Sequence, residues 1–319
     1  MNDYSPYGKW EPTDISPSKL NMYKDCPKKM YYRYVSREKT YTGAASLQGS
    51  AAHKVFLEEL LDGGVDDIEF LVEMMLDDLK HRLDTEDPRD YKSKLPLTDS
   101  EKFDALQELK VWGEGLLEAY LKGEDNYGNP LKLPKVKETE IEGCAEVYLP
   151  TLDATIRIRG YIDMLFEDGS LGDLKLASDY WKAIWTLAKA ITEDQPAMYS
   201  KMMGTRKFRY LIVDKKKDNR KQPKSPSVRS IDFVVTDEDM DRLMADLEDF
   251  VRSTDVLNNY KNGVFPARPE YNGQTKATAG KPEEQFCGKL CDFKEICWRE
   301  NFARPILVEE DGVSYESGE

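Results

Sequence analysis

Two alternating stretches joined by a tight turn constrain the fold more than any other feature of the sequence. Residues 155–166 alternate in the manner of a β-strand, and Leu171 to Leu176 return with a similar pattern. Asp168-Gly169 between them is a dipeptide typical of two-strand hairpins. The sequence therefore predicts a β-hairpin near the middle of the chain, which we call the central hairpin.

Further strands and helices are predicted around the central hairpin. Extended patterns recur at residues 138–149, 208–213 and 228–235. Helical periodicity or capping signals mark residues 17–34 (interrupted at Cys26-Pro27), 47–61, parts of 66–122, 180–203 and 237–260. We expect an α/β fold in which helices flank a small mixed sheet.

The 319 residues suffice for one large domain or for a core with a subdomain. No apolar run approaches the roughly 20 residues that span a bilayer. The first residues lack the basic and apolar regions of an export signal. We expect a cytoplasmic protein with no membrane partner.

The net charge of −14 is unfavourable for binding nucleic acid, but the charge is unevenly distributed. Residues 201–230 contain eleven Lys and Arg against Asp214 and Asp218, which leaves a local charge of +9. This basic segment is either a phosphate-binding surface or a solvated loop, and its position relative to the site must decide.

Two acids and a lysine lie on the central hairpin. Asp163 is near the end of the first strand, and Asp173 and Lys175 share one face of the second. Carboxylate oxygens suit Mg²⁺ or Mn²⁺. A lysine beside them can orient an attacking water or stabilise a negatively charged phosphate. The pattern alone is weak, because carboxylates beside a turn are usually solvated.

His53 lies on a predicted helix and shares a helical face with Gly49, which we expect to permit close approach beside the imidazole. Glu58, five residues on, points away by about 140° on an α-helix and is not included. Taken alone, such a histidine is more often structural.

Gln195 and Tyr199 are a second pair spaced by one helical turn. Thr192 with Gln195 predicts a capping box, which would place both side chains near the exposed start of a helix. Taken alone, they would be a cap and a core tyrosine.

The cysteines form a cluster only if the two ends of the chain meet. Cys287, Cys291 and Cys297 lie near the C-terminus, and Cys26 could supply a fourth thiolate. Four thiolates suit a [4Fe–4S] cluster or structural Zn²⁺, and spacing alone does not separate them. Cys144, in a predicted strand, is expected to be an inert buried thiol.

In this order, Gly49-x3-His53, Gly160-x2-Asp163, Asp173-x-Lys175 and Gln195-x3-Tyr199 resemble the motifs of the RecB-like PD-(D/E)XK nucleases, a group that includes Cas4. The stretch from Ser16 to Pro27 is similar to the same group's N-terminal signature. The resemblance covers residues 15–60 and 137–300 and leaves 62–135 unmatched.

The resemblance implies a role for each motif residue. His53, Asp163, Asp173 and the backbone carbonyl of Leu174 would bind Mg²⁺ or Mn²⁺, and Lys175 would be catalytic. Gln195 and Tyr199 would support the site and the DNA. It also favours a [4Fe–4S] cluster on the four cysteines, although the three-residue gap after Cys287 departs from the usual two and keeps zinc open.

On this basis the expected fold is a PD-(D/E)XK restriction-endonuclease-like core with a helical insertion and a terminal iron–sulfur staple. The predicted segments are 1–61 (N-terminal helices with Cys26 and His53), 62–135 (helical insertion), 136–262 (nuclease core) and 263–319 (cysteine-cluster segment and acidic tail).

The expected activity is a metal-dependent exonuclease acting on DNA ends or single strands in recombination, repair or phage DNA metabolism. The chain has no phosphate-binding loop of the G-x4-G-K-[ST] type, so a helicase, recombinase or integrase would be a separate partner. The alternatives are a Cas4-like enzyme that trims DNA for CRISPR spacer acquisition and a catalytically silent DNA-binding module.

Overall fold

The structure, a computed structural model, describes residues 8–90, 95–178, 185–267, 291–301, 304–308 and 312–316. The strands are β1 (Val136–Leu149), β2 (Ala154–Phe166), β3 (Leu171–Ser178), β4 (Lys207–Lys217), β5 (Pro223–Val234), β6 (Arg304–Val308) and β7 (Gly312–Glu316). The helices are α1 (Pro17–Asp25), α2 (Pro27–Met30), α3 (Ala44–Lys54), α4 (Ile68–Thr85), α5 (Asp99–Lys122), α6 (Leu187–Thr192), α7 (Asp194–Met203), α8 (Asp237–Thr254) and α9 (Lys294–Asn301).

A five-stranded mixed sheet in the order β1-β2-β3-β4-β5 forms the centre of the fold. β3 and β4 run parallel, while the other neighbouring strands are antiparallel. The expected hairpin connects β2 to β3, with Gly169 at a φ of 76° in its turn. The α/β class and the small mixed sheet are therefore confirmed.

Helices cover both faces of the sheet. Successive strand residues point to opposite faces, so Tyr210 and Ile212 pack with α1, α7 and α8, while Leu211 and Val213 pack with α3, α4 and α5. The predicted helical insertion thus shares a core with the sheet. Its boundaries at residues 62 and 135 stay predictions.

The N-terminal helices begin as the sequence predicts. Ser16 caps α1 by accepting a hydrogen bond from the Lys19 amide, and Pro17 occupies the first helical position, where its missing N–H is not needed. The helix ends at Asp25, and Cys26 stands in extended conformation before α2.

Three predicted helices differ in their bounds or geometry. The helix predicted from residue 47 begins at Ala44 and becomes a π-helix over Val55–Asp62. The helix predicted to reach Tyr260 ends at Thr254, because Asp255 is left-handed with a φ of 53°. Residues 180–184 of the third lie outside the described part, and the rest divides into α6 and α7.

The predicted capping box of Thr192 and Gln195 is wrong. Thr192 ends α6, and its hydroxyl donates to the carbonyls of Ala188 and Lys189. Glu193 is the N-cap of α7 and makes no side-chain cap hydrogen bond. Capping boxes are present instead at the starts of α5, where Thr98 pairs with Glu101, and of α8, where Thr236 pairs with Asp239.

Within the described ranges, no helix is both long enough and apolar enough to cross a bilayer.

Candidate active site

The candidate site lies where β2 and β3 part. These two strands pair only at Met164 with Gly172 and at Leu165 with Leu171, whereas β3 stays paired with β4 as far as Ser178. Asp163 and Asp173 lie just beyond the last β2–β3 pair, one on each strand. We call this divergence the strand fork.

The backbone of Leu174 joins the acid of β2 to the histidine of α3. Asp163 Oδ2 accepts a hydrogen bond of 2.8 Å from the Leu174 amide. His53 Nε2 lies 2.7 Å from the Leu174 carbonyl oxygen, and its Nδ1 lies 3.5 Å from Asp163 Oδ2. The structure thus brings His53, Asp163 and Leu174 together.

Asp173 is buried and held at both oxygens. Its Oδ2 lies 2.7 Å from Lys175 Nζ, and its Oδ1 accepts a hydrogen bond of 2.7 Å from Gln195 Nε2. Asp173 and Lys175 share a strand face, as predicted from their spacing. The ammonium therefore lies beside the second acid.

The charges of the site perturb one another strongly. Burial, and after it the charge of Asp173, raises the pKa of Asp163 well above its usual range. Burial alone would lower the pKa of Lys175, but the charge and hydrogen bond of Asp173 raise it. Burial lowers the pKa of His53, so its imidazole is neutral at physiological pH.

Gln195 and Tyr199 support the site through hydrogen bonds in the interior of the protein. The predicted capping box had implied instead that both side chains lie at an exposed helix start. Tyr199 is buried, and its hydroxyl donates to the Tyr161 carbonyl. Gln195 Nε2 lies 2.9 Å from that hydroxyl and also reaches Asp173. A chain of hydrogen bonds therefore runs from Asp173 to the backbone of β2.

The two motif glycines differ in what surrounds them. A Cβ on Gly160 would lie 3.1 Å from Tyr199 Cε1 and 3.4 Å from Pro17 Cδ, so a larger residue would fit there only if these neighbours shifted slightly. A Cβ on Gly49 would meet nothing within 4 Å. The expectation that Gly49 permits a close approach beside His53 is therefore wrong.

One glutamate near the site, Glu140, was missed from the sequence, and a second, Glu58, was considered and set aside. Glu140 lies between Thr139 and Ile141, which pair with Met164 and Ile162, so it stands opposite Asp163. Burial, and after it the charge of Glu58, raises the pKa of Glu140. Glu58 was excluded on α-helical geometry, but it lies in the π-helix Val55–Asp62, where each turn is wider.

The donor set of the site matches a hard divalent cation. Two carboxylates, a neutral imidazole and a carbonyl face one another with Lys175 as their cationic neighbour. In the described part of the chain, no three His, Cys, Asp or Glu side chains stand in the arrangement of a formed metal site. His53 and the Leu174 carbonyl, both expected ligands, instead bond to each other.

Three of the four cluster cysteines come together. Cys26 and Cys291 are buried, and Cys297 is half-buried. Burial, and after it the neighbouring thiols Cys26 and Cys291, raises the pKa of Cys297 to about 11. Phe293 and Ile296 pack with Tyr32 around Cys291 and Cys297. Cys287 lies outside the described residues.

Cys144 stands apart from this group, on β1 opposite Arg159. It is half-buried rather than fully buried, and burial raises the pKa of its thiol. No disulfide joins Cys26, Cys144, Cys291 and Cys297, the cysteines that the structure describes.

The basic segment 201–230 forms β4, β5 and the turn between them. Much of its charge is used internally: Arg229 pairs with Asp214, Arg209 with Asp168, and Lys217 with Glu108. Lys215 lies three residues beyond Ile212, the partner of Lys175, so the β4–β5 turn projects past the site's end of the sheet.

A sheet whose inner strands part around two acids, with a lysine two residues after the second acid, is the arrangement of PD-(D/E)XK nucleases. The family model described as the PD-(D/E)XK nuclease superfamily matches residues 14–298, and the chain belongs to this superfamily. Nucleases of this superfamily generally use divalent metals.

Among solved structures, the chain is similar to a "putative exonuclease" from Eubacterium rectale, with a TM-score of 0.52 and 14% identity over 97% of this chain and 94% of that one. At this identity the likeness concerns the fold alone. The structure of SSO0001 aligns with a TM-score of 0.33 and 13% identity over 76% of this chain and 77% of that one, too low to define a shared fold. No curated protein matches the chain.

Proposed function

We propose that this protein is a divalent-metal-dependent deoxyribonuclease that hydrolyses phosphodiester bonds at DNA ends. The observation that carries the proposal is the grouping of Asp163, Asp173, Lys175 and His53 around Leu174 at the strand fork. Its motif order supports a place in the RecB-like branch with Cas4. The intact set of side chains argues against a silent DNA-binding module.

In this proposal each residue has one task. His53, Asp163, Asp173 and the Leu174 carbonyl would hold Mg²⁺ or Mn²⁺, which supplies positive charge to the phosphate and to the attacking water. Lys175 Nζ, beside Asp173, orients the water or stabilises the charge that develops on the phosphate. Gln195 and Tyr199 fix the carboxylate of Asp173.

We also propose that Cys26, Cys287, Cys291 and Cys297 bind one [4Fe–4S] cluster, with structural Zn²⁺ as the alternative. The proximity of three of these thiols supports the proposal. Burial, and after it the neighbouring cysteines, raises the pKa of Cys297, and a bound cation would favour its thiolate. The cluster would tie both ends of the chain across the core.

Degradation of defined substrates tests the nuclease proposal. Linear duplex, linear single-stranded and covalently closed circular DNA are incubated with Mg²⁺, Mn²⁺ or EDTA. We expect digestion of the linear forms only, and only with metal. Equal digestion of the closed circle would show an endonuclease, and digestion in EDTA would contradict the metal requirement.

Two substitutions connect that activity to the site. We expect Asp173→Asn and Lys175→Met each to lower the rate at least about a hundredfold. Asp241→Asn and Lys207→Met are the matched controls, since both side chains are exposed and outside the site. Unchanged rates in the first pair would remove the site assignment.

A further inference from the structure

Two exposed aromatic rings form a stacked pair close to the strand fork. Trp10 of the N-terminal arm and Tyr161 of β2 have ring centroids 6.2 Å apart and an interplanar angle of 23°. Their side chains are 41% and 45% exposed. We call this pair the aromatic platform, and neither ring is used by the site described above.

The arm that carries Trp10 is anchored by cations under it. The fully buried Arg159 donates to the carbonyls of Gly8 and Lys9, at 2.8 and 3.1 Å, and its guanidinium lies 4.8 Å from the Trp10 ring centroid. Lys19 donates to the carbonyls of Pro12 and Asp14. An exposed indole is therefore held in a fixed position, so little ordering entropy opposes a ligand that stacks on it.

The platform has a defined relation to the acids of the fork. Tyr161 and Asp163 are two residues apart on β2, so they share a strand face and lie about 7 Å apart along it. The Tyr161 carbonyl accepts the Tyr199 hydroxyl, which Gln195 links to Asp173. Tyr161 therefore contributes its backbone to the candidate site, and its ring lies beside the site on the same strand face as Asp163.

The chemistry of the platform suits bases rather than phosphates. Arg157 is paired with Asp14 and Arg159 with Glu142, so the charges nearest the rings are compensated. Exposed aromatic rings bind unpaired bases of any sequence by stacking, whereas the internal base pairs of a duplex are already stacked on both faces. The platform therefore suits an unstacked nucleotide better than the interior of a duplex.

We propose that Trp10 and Tyr161 are positioning residues that stack an unpaired base of a single-stranded DNA end beside the site. The inference rests on the proposed function for its purpose, and it adds the residues that would hold a single-stranded terminus before cleavage. Stacking holds the strand through its bases without a requirement for sequence.

Binding without metal tests the platform separately from catalysis. Fluorescence anisotropy in EDTA measures the Kd of a labelled oligothymidylate and of a blunt duplex of equal length. We expect Trp10→Ala and Tyr161→Ala each to raise the Kd for the single strand roughly tenfold and to leave the duplex unchanged. Trp10→Phe and Tyr161→Phe keep a ring and should retain most of the affinity.

Tyr148→Ala is the matched control, since Tyr148 is 55% exposed on β1 and pairs with Thr155, six residues and about 20 Å along the strand from Tyr161. It should bind like the parent protein. Equal Kd values for parent, Trp10→Ala and Tyr161→Ala would overturn the proposal, as would a parent protein that binds no single strand.

The steady-state kinetics give a second readout. On single-stranded DNA, both alanine variants should raise KM and leave kcat nearly unchanged; a loss of kcat with KM constant would overturn the positioning role. If the parent cleaves no DNA yet loses single-strand affinity through Trp10→Ala, the platform stands and the proposed nuclease fails. If the parent cleaves DNA and both alanine variants bind single strands as tightly as the parent, the proposed nuclease stands and the platform fails.

Discussion

Leu174 contributes its backbone to the site and its side chain to the core. The side chain is fully buried against the helices α3 to α5, which anchors the residue. Its amide then meets Asp163 and its carbonyl meets His53. Because strand neighbours point the other way, the same anchoring fixes Asp173 and Lys175 on the opposite face. One buried leucine therefore sets the position of the surrounding polar groups.

Gln195 provides a prediction at this scale. Gln195→Ala removes the donor that holds Asp173 Oδ1, and losses of such supporting partners usually cost about 10–100-fold in metal affinity or activity. We expect the Mg²⁺ concentration for half-maximal nuclease activity to rise by that order. A metal titration of activity measures it.

Gln107→Ala is the control, because Gln107 is exposed on α5 and lies outside the site. Its metal requirement should match that of the parent protein. If Gln195→Ala also matches the parent, the hydrogen bond to Asp173 has no part in holding the acid, and the supporting role of Gln195 is rejected.

Residue spacing in the sequence predicted which polar groups meet, but not their surroundings. Asp173 and Lys175 were placed on one face by strand periodicity alone. The i, i+4 relation of Gln195 and Tyr199 was correct, and their exposure was not, because burial depends on α7 packing against β1 and β2. Local spacing carries no information about that packing.

At the scale of elements, the π-helix Val55–Asp62 is where the structure differs from the α-helix predicted from the sequence. A π-turn closes on the fifth residue rather than the fourth, so angles counted on an α-helix do not apply beyond Lys54. Buried Val55, Phe56, Leu57 and Leu60 pack in the core shared with α4 and α5. The wider turn is a property of this packed context, so the α-helical angle used to set Glu58 aside does not apply to it.

The packing of α5 on β5 gives a stability prediction. A Cβ on Gly115 would lie 2.3 Å from Pro226 Cδ and 2.8 Å from its Cγ, and the proline ring cannot rotate away. We expect Gly115→Ala to lower the free energy of unfolding by about 1–3 kcal/mol, since overpacking outweighs the better helix propensity of alanine. Urea denaturation measures the change.

Gly49→Ala is the matched substitution on α3, where an added Cβ meets nothing within 4 Å. Because only helix propensity changes here, we expect the free energy of unfolding to rise by up to about 1 kcal/mol. A gain of equal size in Gly115→Ala would show that α5 does not press on Pro226 as described.

At the scale of the whole molecule, the thiol cluster joins the two ends of the sequence. Cys26 lies between α1 and α2, while Cys291 and Cys297 lie beside and within α9. A metal centre shared by them would close a loop of more than 260 residues, and long loops lose the most entropy in the unfolded chain. We therefore expect the metal centre to stabilise the entire fold.

Cys291→Ala tests this contribution. We expect the variant to lose the bound metal and to melt roughly 5 °C or more below the parent. Elemental analysis identifies the metal, and broad absorption near about 400 nm identifies an iron–sulfur cluster. A colourless parent with stoichiometric zinc would reject the iron–sulfur assignment.

Cys144→Ala is the control, since Cys144 lies on β1 away from the cluster. It should keep the metal content of the parent protein. Equal metal content in Cys291→Ala and the parent would reject the thiol cluster as a metal site.

The overall architecture was accessible from the sequence because periodicity and turn chemistry are local. The Asp168-Gly169 turn and the alternating strands around it defined the hairpin, and the motif order defined the superfamily. The parallel pairing of β3 with β4 and the position of Glu140 were not accessible, since both depend on contacts between distant segments.

The strand fork also affects what holds the two acids at their distance from each other. β2 and β3 share only two residue pairs, so strand pairing does not fix the two backbones relative to each other at Asp163 and Asp173. Just beyond the last residue pair, the amide of Leu174 on β3 donates a hydrogen bond to the carboxylate of Asp163 on β2. The separation of the two acids therefore depends on this side-chain contact more than on the hydrogen bonds of the sheet.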